Sequence, residues 1–379
     1  MLSAVRRELR PMLEIAIPVV LAELGWTAMG VVDTIMVGPL GPEAIGAVGL
    51  GSILFFSVAI FGMGLLLGLD TLVSQAFGAG RLDQCHHWLY QGVYLSVFTA
   101  VPLTALAYAG IDSLSAWNLN PAVVPLARPY LHVVTLSLLP LLFYATFRRY
   151  LQAMSCVRPI TFALLVANIV NAIVNWVLIY GKLGFPALGA TGAAWATVCS
   201  RLFMAGVLLA AIVLRERRER SGLHHVNRRV DWPALRRLVN LGLPASLQIT
   251  LEVGVFAMAM ALAGRLSAAS LAAHQIALNY AATTYMVPLG VANSGAVRVG
   301  QAVGRRDPDG ARISGWTAIL LGVGFMGCAA LVFLAAPRVL IGFFTKDPAV
   351  LETGASLLLV AAVFQMFDGL QAVTTGALR

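Results

Sequence analysis

Apolar runs of twenty or more residues recur from one end of this 379-residue chain to the other. Each run is long enough to cross the ~30 Å hydrocarbon layer of a bilayer as an α-helix. Only 11% of the residues are charged, whereas a soluble domain carries about 25%. A membrane-spanning β-barrel requires short segments of alternating polarity, and the sequence lacks them. The sequence therefore predicts an all-α integral membrane protein.

The apolar runs are interpreted as ten membrane-spanning helices separated by Gly- and Pro-rich connections. They cover residues 12–37, 46–76, 88–110, 127–152, 160–181, 190–214, 237–264, 271–300, 315–336 and 352–376. The segment before the first span is short and basic and leads directly into it. No cleavable signal peptide is therefore predicted.

The basic residues are divided unevenly between the two sets of connections. Twenty of the 26 Lys and Arg residues lie in alternate segments that include the amino terminus and the loop at 215–236, and five lie in the other segments. Since positively charged loops remain cytoplasmic, we expect a multi-pass protein of the inner (plasma) membrane with a cytoplasmic amino terminus. The basic loops required by this topology account for the formal charge of +9. Membrane lipid is therefore an expected partner, and nucleic acid is not.

The two halves of the chain repeat each other. A shift of 226 residues places Gly64 on Gly290. Without a gap it also places Gln75–Gly78 on Gln301–Gly304. Because both copies enter the membrane from the same side, the repeat is parallel. It predicts two helical bundles related by a pseudo-twofold axis, a central cleft and alternating access.

The Arg-rich loop divides the predicted spans unequally, with six before it and four after it. We predict an N-terminal six-helix bundle at 1–214, a cytoplasmic Arg-rich linker at 215–236 and an incomplete C-terminal bundle at 237–379. The imbalance leads us to expect about two further spans in the second half.

Catalytic and nucleotide-binding motifs are not evident. The sequence contains no GxxxxGK[ST] motif, and its four cysteines lack metal-ligand spacing. We therefore expect a transporter that uses no cofactor and draws its energy from an ion gradient, rather than an enzyme. Ionisable residues inside a membrane cost about 2.5–3.5 kcal/mol each and mark ion pathways, so they are the candidate functional residues.

Two carboxylates lie inside spans of the second half. Glu252 is near the middle of the seventh span, and Asp368 is in the tenth. Since neither helix has a basic residue nearby, the pair is predicted to share one cation or one proton. The alternative for each acid is a structural role in which it is hydrogen-bonded or paired. Gln275 and Asn279, one turn apart on the eighth span, are predicted to complete this cation site.

The first half contributes a second set of polar residues. Asp33, toward the outer end of the first span, is predicted to have a functional role, unless it is only a polar residue at a helix end near the interface. Asn168, Asn171 and Asn175 share one face of the fifth span. They either line the substrate cavity or bond neighbouring helices.

Three more charged residues lie at membrane depth. Asp70 is interpreted as a gating or loop-anchoring residue. For Arg201, snorkelling toward the interface or helix pairing is preferred over a role as counter-ion to a buried acid. Glu23 has no assigned role.

Several short stretches together match one known family. They are Gly30–Gly38, Gln75–Gly78, Asn171–Trp176, Leu241–Pro244, Ala272–Asn279 and Arg298–Gly304. On these stretches the chain resembles the multidrug and toxic compound extrusion (MATE) family, in its bacterial NorM-like branch. The resemblance implies twelve spans in two six-helix bundles. It also implies a monomeric antiporter that exports amphipathic organic cations in exchange for Na⁺ or H⁺.

The resemblance also implies roles for single residues. It assigns cation coupling to Asp33, Glu252 and Asp368 with Gln275 and Asn279 nearby, and it places Asn171 and Asn175 in the N-terminal cavity. Glu23 departs from the family pattern, because an uncharged residue is expected there.

Other functions remain as alternatives. A lipid-linked oligosaccharide flippase of related fold requires a basic cavity for phosphate, whereas the acids named above dominate the spans here. A membrane scaffold or receptor accounts for the spans but not for buried acids in repeated halves. The choice between Na⁺ and H⁺ and the identity of the substrate are left open.

Overall fold

A computed structural model describes residues 2–114, 122–223, 225–266 and 268–378. Within these ranges the chain forms thirteen α-helices and one 3-10 turn (Gly38–Leu40), with no strand. The helices are α1 Leu2–Val37, α2 Pro42–Leu65, α3 Gly68–Gly78, α4 Leu82–Ser113, α5 Val124–Thr135, α6 Leu138–Ala153, α7 Arg158–Tyr180, α8 Ala190–Glu219, α9 Trp232–Leu266, α10 Ala268–Gly304, α11 Pro308–Ala335, α12 Pro337–Gly342 and α13 Pro348–Leu378.

The described helices include eight segments that are long and apolar enough to cross a membrane. A ninth is added if α5 and α6, which meet at a bend of 45°, form one broken span. The predicted span at 46–76 is the consecutive pair α2 and α3. The predicted span at 271–300 is helical within α10, but polar side chains recur along α10, and it is not among the eight. By this measure the described residues contain eight or nine of the ten predicted spans.

Prolines and short polar side chains set several helix ends. Pro42 and Pro308 lie in the first turns of α2 and α11, where their missing N–H groups cost no helical hydrogen bond. The Asp307 carboxylate caps α11 by accepting from the Gly310 N–H at 2.8 Å. α7 ends at Gly181, whose φ of +68° is a left-handed conformation that glycine adopts without strain.

The chain divides into two compact units that do not follow the predicted domains. The C unit combines Met1–Leu24 with Leu251–Arg379, and the N unit is Gly25–Thr250. The two boundaries thus fall inside α1 and α9 rather than at the predicted linker. They are separated by 226 residues, which is the offset of the sequence repeat.

Equivalent contacts hold the first part of α9 in the N unit and the first part of α1 in the C unit. A Cβ atom on Gly64 of α2 would lie 2.5 Å from the Cα atom of Ser246 on α9. A Cβ atom on Gly290 of α10 would lie 3.2 Å from the Cα atom of Val20 on α1. The offset of 226 relates Gly64 to Gly290 and Val20 to Ser246. Since glycine allows helix backbones to approach closely in a membrane, this packing, and not the order of the loops, sets the unit boundaries.

Within each unit the helices pack around separate apolar cores. In the N unit α7 packs on α8, α2 on α5, and α6 on α3, α4 and α8. In the C unit α10, α11 and α13 pack on one another, and α12 packs on α13. Met12 and Ala16 of α1 join the C-unit core beside Val291 and Val373.

The predicted linker is partly helical and is held against the N unit. α8 continues into its first residues, and α9 begins before its end. The Glu216 carboxylate accepts hydrogen bonds from the N–H groups of Gly222 at 3.0 Å and Leu223 at 3.1 Å. Gln91 of α4 donates to the Arg229 carbonyl oxygen at 3.0 Å. These bonds fasten the connection to α4 and α8, so it is not a loose tether.

Candidate functional site

A buried carboxylate lies where α1, α7 and α8 meet in the N unit. Asp33 is only 8% exposed. Its Oδ1 atom accepts from Asn175 Nδ2 at 2.7 Å, and its Oδ2 atom accepts from Thr197 Oγ1 at 3.2 Å. Asn175 Nδ2 also donates to Asn171 Oδ1 at 3.1 Å. These four residues form the Asp33 cluster, which unites three of the sequence-predicted site residues.

Local helix geometry builds this cluster. Asn171 and Asn175 are one turn apart on α7 and therefore share a face, and that face is buried where α7 packs on α8. Asn175 Oδ1 and Asn171 Nδ2 have no hydrogen-bond partner among the described residues. Carboxylate, amide and hydroxyl oxygens are the ligands that hard cations prefer. The oxygen atoms of the cluster are therefore of the type that binds hard cations, and the charge around Asp33 decides whether a cation is held there.

Asn168 does not belong to the Asp33 cluster. Its Nδ2 group donates to the Gly25 carbonyl oxygen at 3.0 Å and to the Leu164 carbonyl oxygen at 2.9 Å. The first of these bonds joins α7 to α1. Of the two alternatives that the sequence left open for Asn168, the contacts favour bonding between neighbouring helices.

Thr197 is a member of the cluster that the sequence reasoning missed. It lies one turn before Arg201 on α8. Two polar residues at this spacing in an apolar helix mark a polar face, and that signal was available. An isolated threonine is nevertheless common in membrane helices, so its carboxylate partner became evident only from the packing of α1 against α8.

Arg201 lies inside the N unit, so of the two preferred alternatives, snorkelling and helix pairing, its contacts favour helix pairing. Its side chain is 7% exposed and donates a hydrogen bond to the Ser137 hydroxyl group. The guanidinium carbon is 4.4 Å from the ring centroid of Phe55 and 5.8 Å from that of Trp26. Among the described residues, no carboxylate oxygen lies within 4.0 Å of the Arg201 guanidinium, so Arg201 forms no direct ion pair.

Two other acids near the spans form ion pairs. Asp70, at the start of α3, forms an ion pair with Arg149 of α6 and so joins these two helices. Glu8 of α1 accepts two hydrogen bonds from Arg298 of α10, at 2.7 and 2.8 Å. Glu23 is half-buried on α1, at the end of its C-unit part.

The C unit contains the second carboxylate site. Glu252 of α9 and Asp368 of α13 are both half-buried, and they are close enough to repel each other when both are ionised. One turn along each helix, Phe256 and Phe364 make an edge-to-face contact with ring centroids 5.9 Å apart. This contact places α9 beside α13 and so brings the two acids near each other. Among the described residues, no Lys, Arg or His interacts with either acid.

The predicted amide partners are only partly joined to this site. Gln275 donates to Asn279 Oδ1 at 3.2 Å, and both side chains are exposed on α10. No hydrogen bond joins either amide to Glu252 in the described part of the chain. The sequence analysis missed another polar contact in this unit. Thr284 of α10 donates to the buried Gln365 Oε1 at 3.1 Å, and Gln365 lies one turn before Asp368 on α13.

A cation in this unit would depend on oxygen ligands of several kinds. Among the described residues, no group of three or more His, Cys, Asp or Glu side chains is arranged to hold a metal. The two carboxylates would have to be supplemented by amide or hydroxyl oxygens, which suits Na⁺ or a proton rather than a transition metal.

Comparisons with known proteins agree with this architecture. The MatE family model matches residues 18–177 and 244–379, two segments whose first residues are again 226 positions apart. A probable multidrug resistance protein NorM of Mesorhizobium japonicum is 37% identical over 99% of this chain and 82% of its own length. A multidrug resistance protein MdtK of Yersinia enterocolitica is 33% identical over 98% and 82%. The crystal structure of the eukaryotic MATE transporter AtDTX14 has a TM-score of 0.87 and 21% identity, over 99% of this chain and 83% of that chain.

Proposed function

The chain belongs to the MatE family, and from this premise we propose that it is an antiporter that exports amphipathic organic cations in exchange for Na⁺ or H⁺. It is an integral membrane protein and a multidrug efflux transporter of the NorM and MdtK type. Its membership in a family of transporters makes it a non-enzymatic protein. The coupling ion and the class of substrate are the proposed part.

The observation that supports cation coupling is the pair of acids in the C unit. Glu252 and Asp368 come from helices that are more than a hundred residues apart in sequence, yet they repel each other across the α9–α13 contact. Each unpaired carboxylate costs about 2.5–3.5 kcal/mol at the centre of a bilayer. A bound cation or proton removes much of this cost, which gives the site its affinity for one.

The same charges account for antiport. An organic cation and the coupling ion both gain from the carboxylates, so binding of one weakens binding of the other by the same free energy. In the outward-facing state, Na⁺ or H⁺ binds at Glu252 and Asp368, and the organic cation leaves. Apolar walls contribute affinity without demanding one molecular shape, which permits varied substrates.

The test is transport by purified protein in proteoliposomes with imposed Na⁺ or pH gradients. The substrate is a fluorescent organic cation such as ethidium, and wild type is compared with Glu252→Gln and Asp368→Asn. We expect both variants to lose gradient-driven transport. Glu352→Gln is the matched control, because Glu352 lies on the same helix as Asp368 and forms only an exposed ion pair with Arg338.

The outcomes separate the parts of the proposal. Undiminished gradient-driven transport by both variants refutes the assignment of the coupling site. If the wild-type protein transports the organic cation equally fast with and without either gradient, the antiport mechanism is refuted. Dependence on the Na⁺ gradient at constant pH, or on the pH gradient without Na⁺, identifies the coupling ion.

A flippase for a lipid-linked oligosaccharide is the alternative within transporters. Its phosphate groups require several accessible basic side chains, whereas Arg149 and Arg298 are bonded to acids. The same proteoliposomes with a fluorescent lipid-linked phosphate substrate distinguish the two functions.

The proposed location is the inner membrane, with the amino terminus in the cytoplasm. The support is the 20-to-5 division of basic residues. Single cysteines introduced at Arg217 and Arg338 of a cysteine-free variant would test it with a membrane-impermeant maleimide in intact cells. Labelling of position 338 but not 217 is expected, and the reverse contradicts the topology.

A further inference from the structure

Arg201 is a buried cation that the proposed transport cycle does not use. Of the 26 Lys and Arg residues, twenty lie in the segments predicted to be cytoplasmic and five in those on the opposite side. Arg201 is the one that belongs to neither group. Burial of a guanidinium in a membrane protein is costly and calls for a compensating charge or hydrogen bonds. Its Nε atom has no hydrogen-bond partner among the described residues, and the single bond to Ser137 satisfies only a small part of its capacity for five.

The neighbouring aromatic rings supply part of the compensation. Phe55 and Trp26 present ring faces to the guanidinium, and a cation over an aromatic face is attracted by the ring quadrupole. Trp26 is in turn stacked on Tyr144, with ring centroids 6.2 Å apart. This arrangement fixes where the positive charge lies, but aromatic rings carry no net charge to balance it.

The nearby negative charge belongs to Asp33. Thr197 lies one turn before Arg201 on α8, and its hydroxyl group donates a hydrogen bond to Asp33 Oδ2 at 3.2 Å. The Asp33 carboxylate therefore lies beside the face of α8 that carries Arg201. Asp33 and Arg201 carry opposite charges, and they are close enough to influence each other electrostatically. In an interior of low dielectric constant, opposite charges attract strongly even without direct contact.

We propose that Arg201 is the fixed internal counter-ion of Asp33, so that the Asp33 cluster is charge-balanced without a bound cation. Asp33 then serves to position α1, α7 and α8, and the coupling cation binds at Glu252 and Asp368. Arg201 is a positioning residue in this scheme, since it acts through Asp33. The assignment of the coupling cation rests on the proposed function, whereas the pairing of Asp33 with Arg201 does not.

The asymmetry between the units supports this division. In the N unit two buried acids each have a basic neighbour, Asp33 with Arg201 and Asp70 with Arg149, and the third, Glu216, is held by hydrogen bonds from Ser221, Gly222 and Leu223. In the C unit Glu252 and Asp368 have no basic partner in the described part of the chain. An added cation therefore gains more in the C unit, where it meets uncompensated charge, than at Asp33, where it would be repelled by Arg201.

The test is a double-mutant cycle on thermal unfolding of the purified protein in detergent. Arg201→Met removes the charge and keeps a side chain that packs against the rings, and Asp33→Asn removes the opposite charge. Each single variant leaves one buried charge uncompensated and lowers the Tm. We expect the double variant to unfold at least about 2 °C above the value given by adding the two losses.

A control and a conservative variant make this cycle specific. Arg215 lies on the same helix, and its guanidinium is bonded to Glu219 at 2.8 Å. The fall in Tm caused by Arg215→Met should therefore simply add to the fall caused by Asp33→Asn. Arg201→Lys keeps the charge and should retain most of the dependence on Asp33. Additive losses for Arg201→Met and Asp33→Asn overturn the proposal, because a role limited to aromatic packing is indifferent to the charge at residue 33.

A second measurement tests whether Asp33 binds a cation in the presence of Arg201. The Tm of a Glu252→Gln and Asp368→Asn double variant is followed as Na⁺ replaces choline at constant ionic strength. No Na⁺-dependent rise is expected; a rise that Asp33→Asn abolishes overturns the proposal. Both measurements are independent of transport, so a failure of this proposal and a failure of the antiport proposal are distinguishable.

Discussion

Substitution of Gly242 by alanine tests the helix contact that keeps the first part of α9 in the N unit. A Cβ atom on Gly242 would lie 2.6 Å from the carbonyl carbon and 2.8 Å from the Cα atom of Leu65, and would overlap the carbonyl oxygen. Both neighbours are backbone atoms, so no side-chain rotation relieves the clash. Restoring an ordinary 3.4 Å contact to the carbonyl carbon requires about 0.8 Å of movement between α2 and α9, and the closer overlap with the carbonyl oxygen requires more than that.

The expected cost follows from this movement. Overpacking by a methyl group costs about 1–3 kcal/mol, and the upper end applies because two backbones must separate. The Ser246 hydroxyl bond to the Phe61 carbonyl oxygen, 2.6 Å long, is strained by the same shift and adds to the loss. The gain from replacing glycine in a helix is about 1 kcal/mol. A net loss of about 2 kcal/mol corresponds to a fall in Tm of about 4–8 °C.

The assay is thermal unfolding of the purified protein in detergent, followed by tryptophan fluorescence. Gly254→Ala is the matched control, since it lies on the same helix and its Cβ atom would meet nothing within 4 Å. The control should keep or slightly raise the Tm. If Gly242→Ala and Gly254→Ala unfold at the same temperature, the close α2–α9 contact does not hold this unit together.

Three further substitutions probe other contacts by the same assay. Thr197→Val removes a hydrogen bond to a carboxylate at constant shape and should cost about 1.5–3 kcal/mol; an unchanged Tm contradicts the geometry of the Asp33 cluster. Glu8→Ala leaves Arg298 without the acceptor of its two bonds and should cost about 2 kcal/mol, whereas a stable variant means that the pair is open in solution. Gly192→Ala brings a Cβ atom within 2.7 Å of the backbone of α7 and should lower the Tm by several degrees; Gly206→Ala, on the same helix with nothing within 4 Å, should not.

Local sequence properties predicted the helices well and their breaks less well. The apolar run at 46–76 gives no sign that α2 ends at Leu65 and α3 begins at Gly68. The same holds for the 45° bend between α5 and α6. Hydropathy averages over a window longer than such a break, so it reports that a segment crosses the membrane and not how the helix bends. α10 shows the converse, because its helix is continuous while its polar residues lower the hydropathy.

The candidate functional residues were predictable to different degrees. An acid in an apolar span is conspicuous, since its burial is costly, so Asp33, Glu252 and Asp368 could be selected without a structure. Thr197 and Gln365 carry little signal of their own, and their importance comes from the acid that lies beside each of them. The sequence marked Arg201 as an unusual charge at membrane depth but did not predict its environment. A snorkelling arginine and a buried one differ only in the residues that surround the side chain, and these come from other helices.

The sequence by itself determined that this protein is helical, lies in a membrane and consists of two copies of one pattern offset by 226 residues. These properties follow from apolar run length and residue spacing, which are local along the chain. Only the tertiary structure decided that the units divide inside α1 and α9, that Asp33 meets α7 and α8, and that Glu252 lies near Asp368. Each of these depends on close helix approaches, such as those at Gly64 and Gly290, between segments that are distant in sequence, and local periodicity contains no information about them.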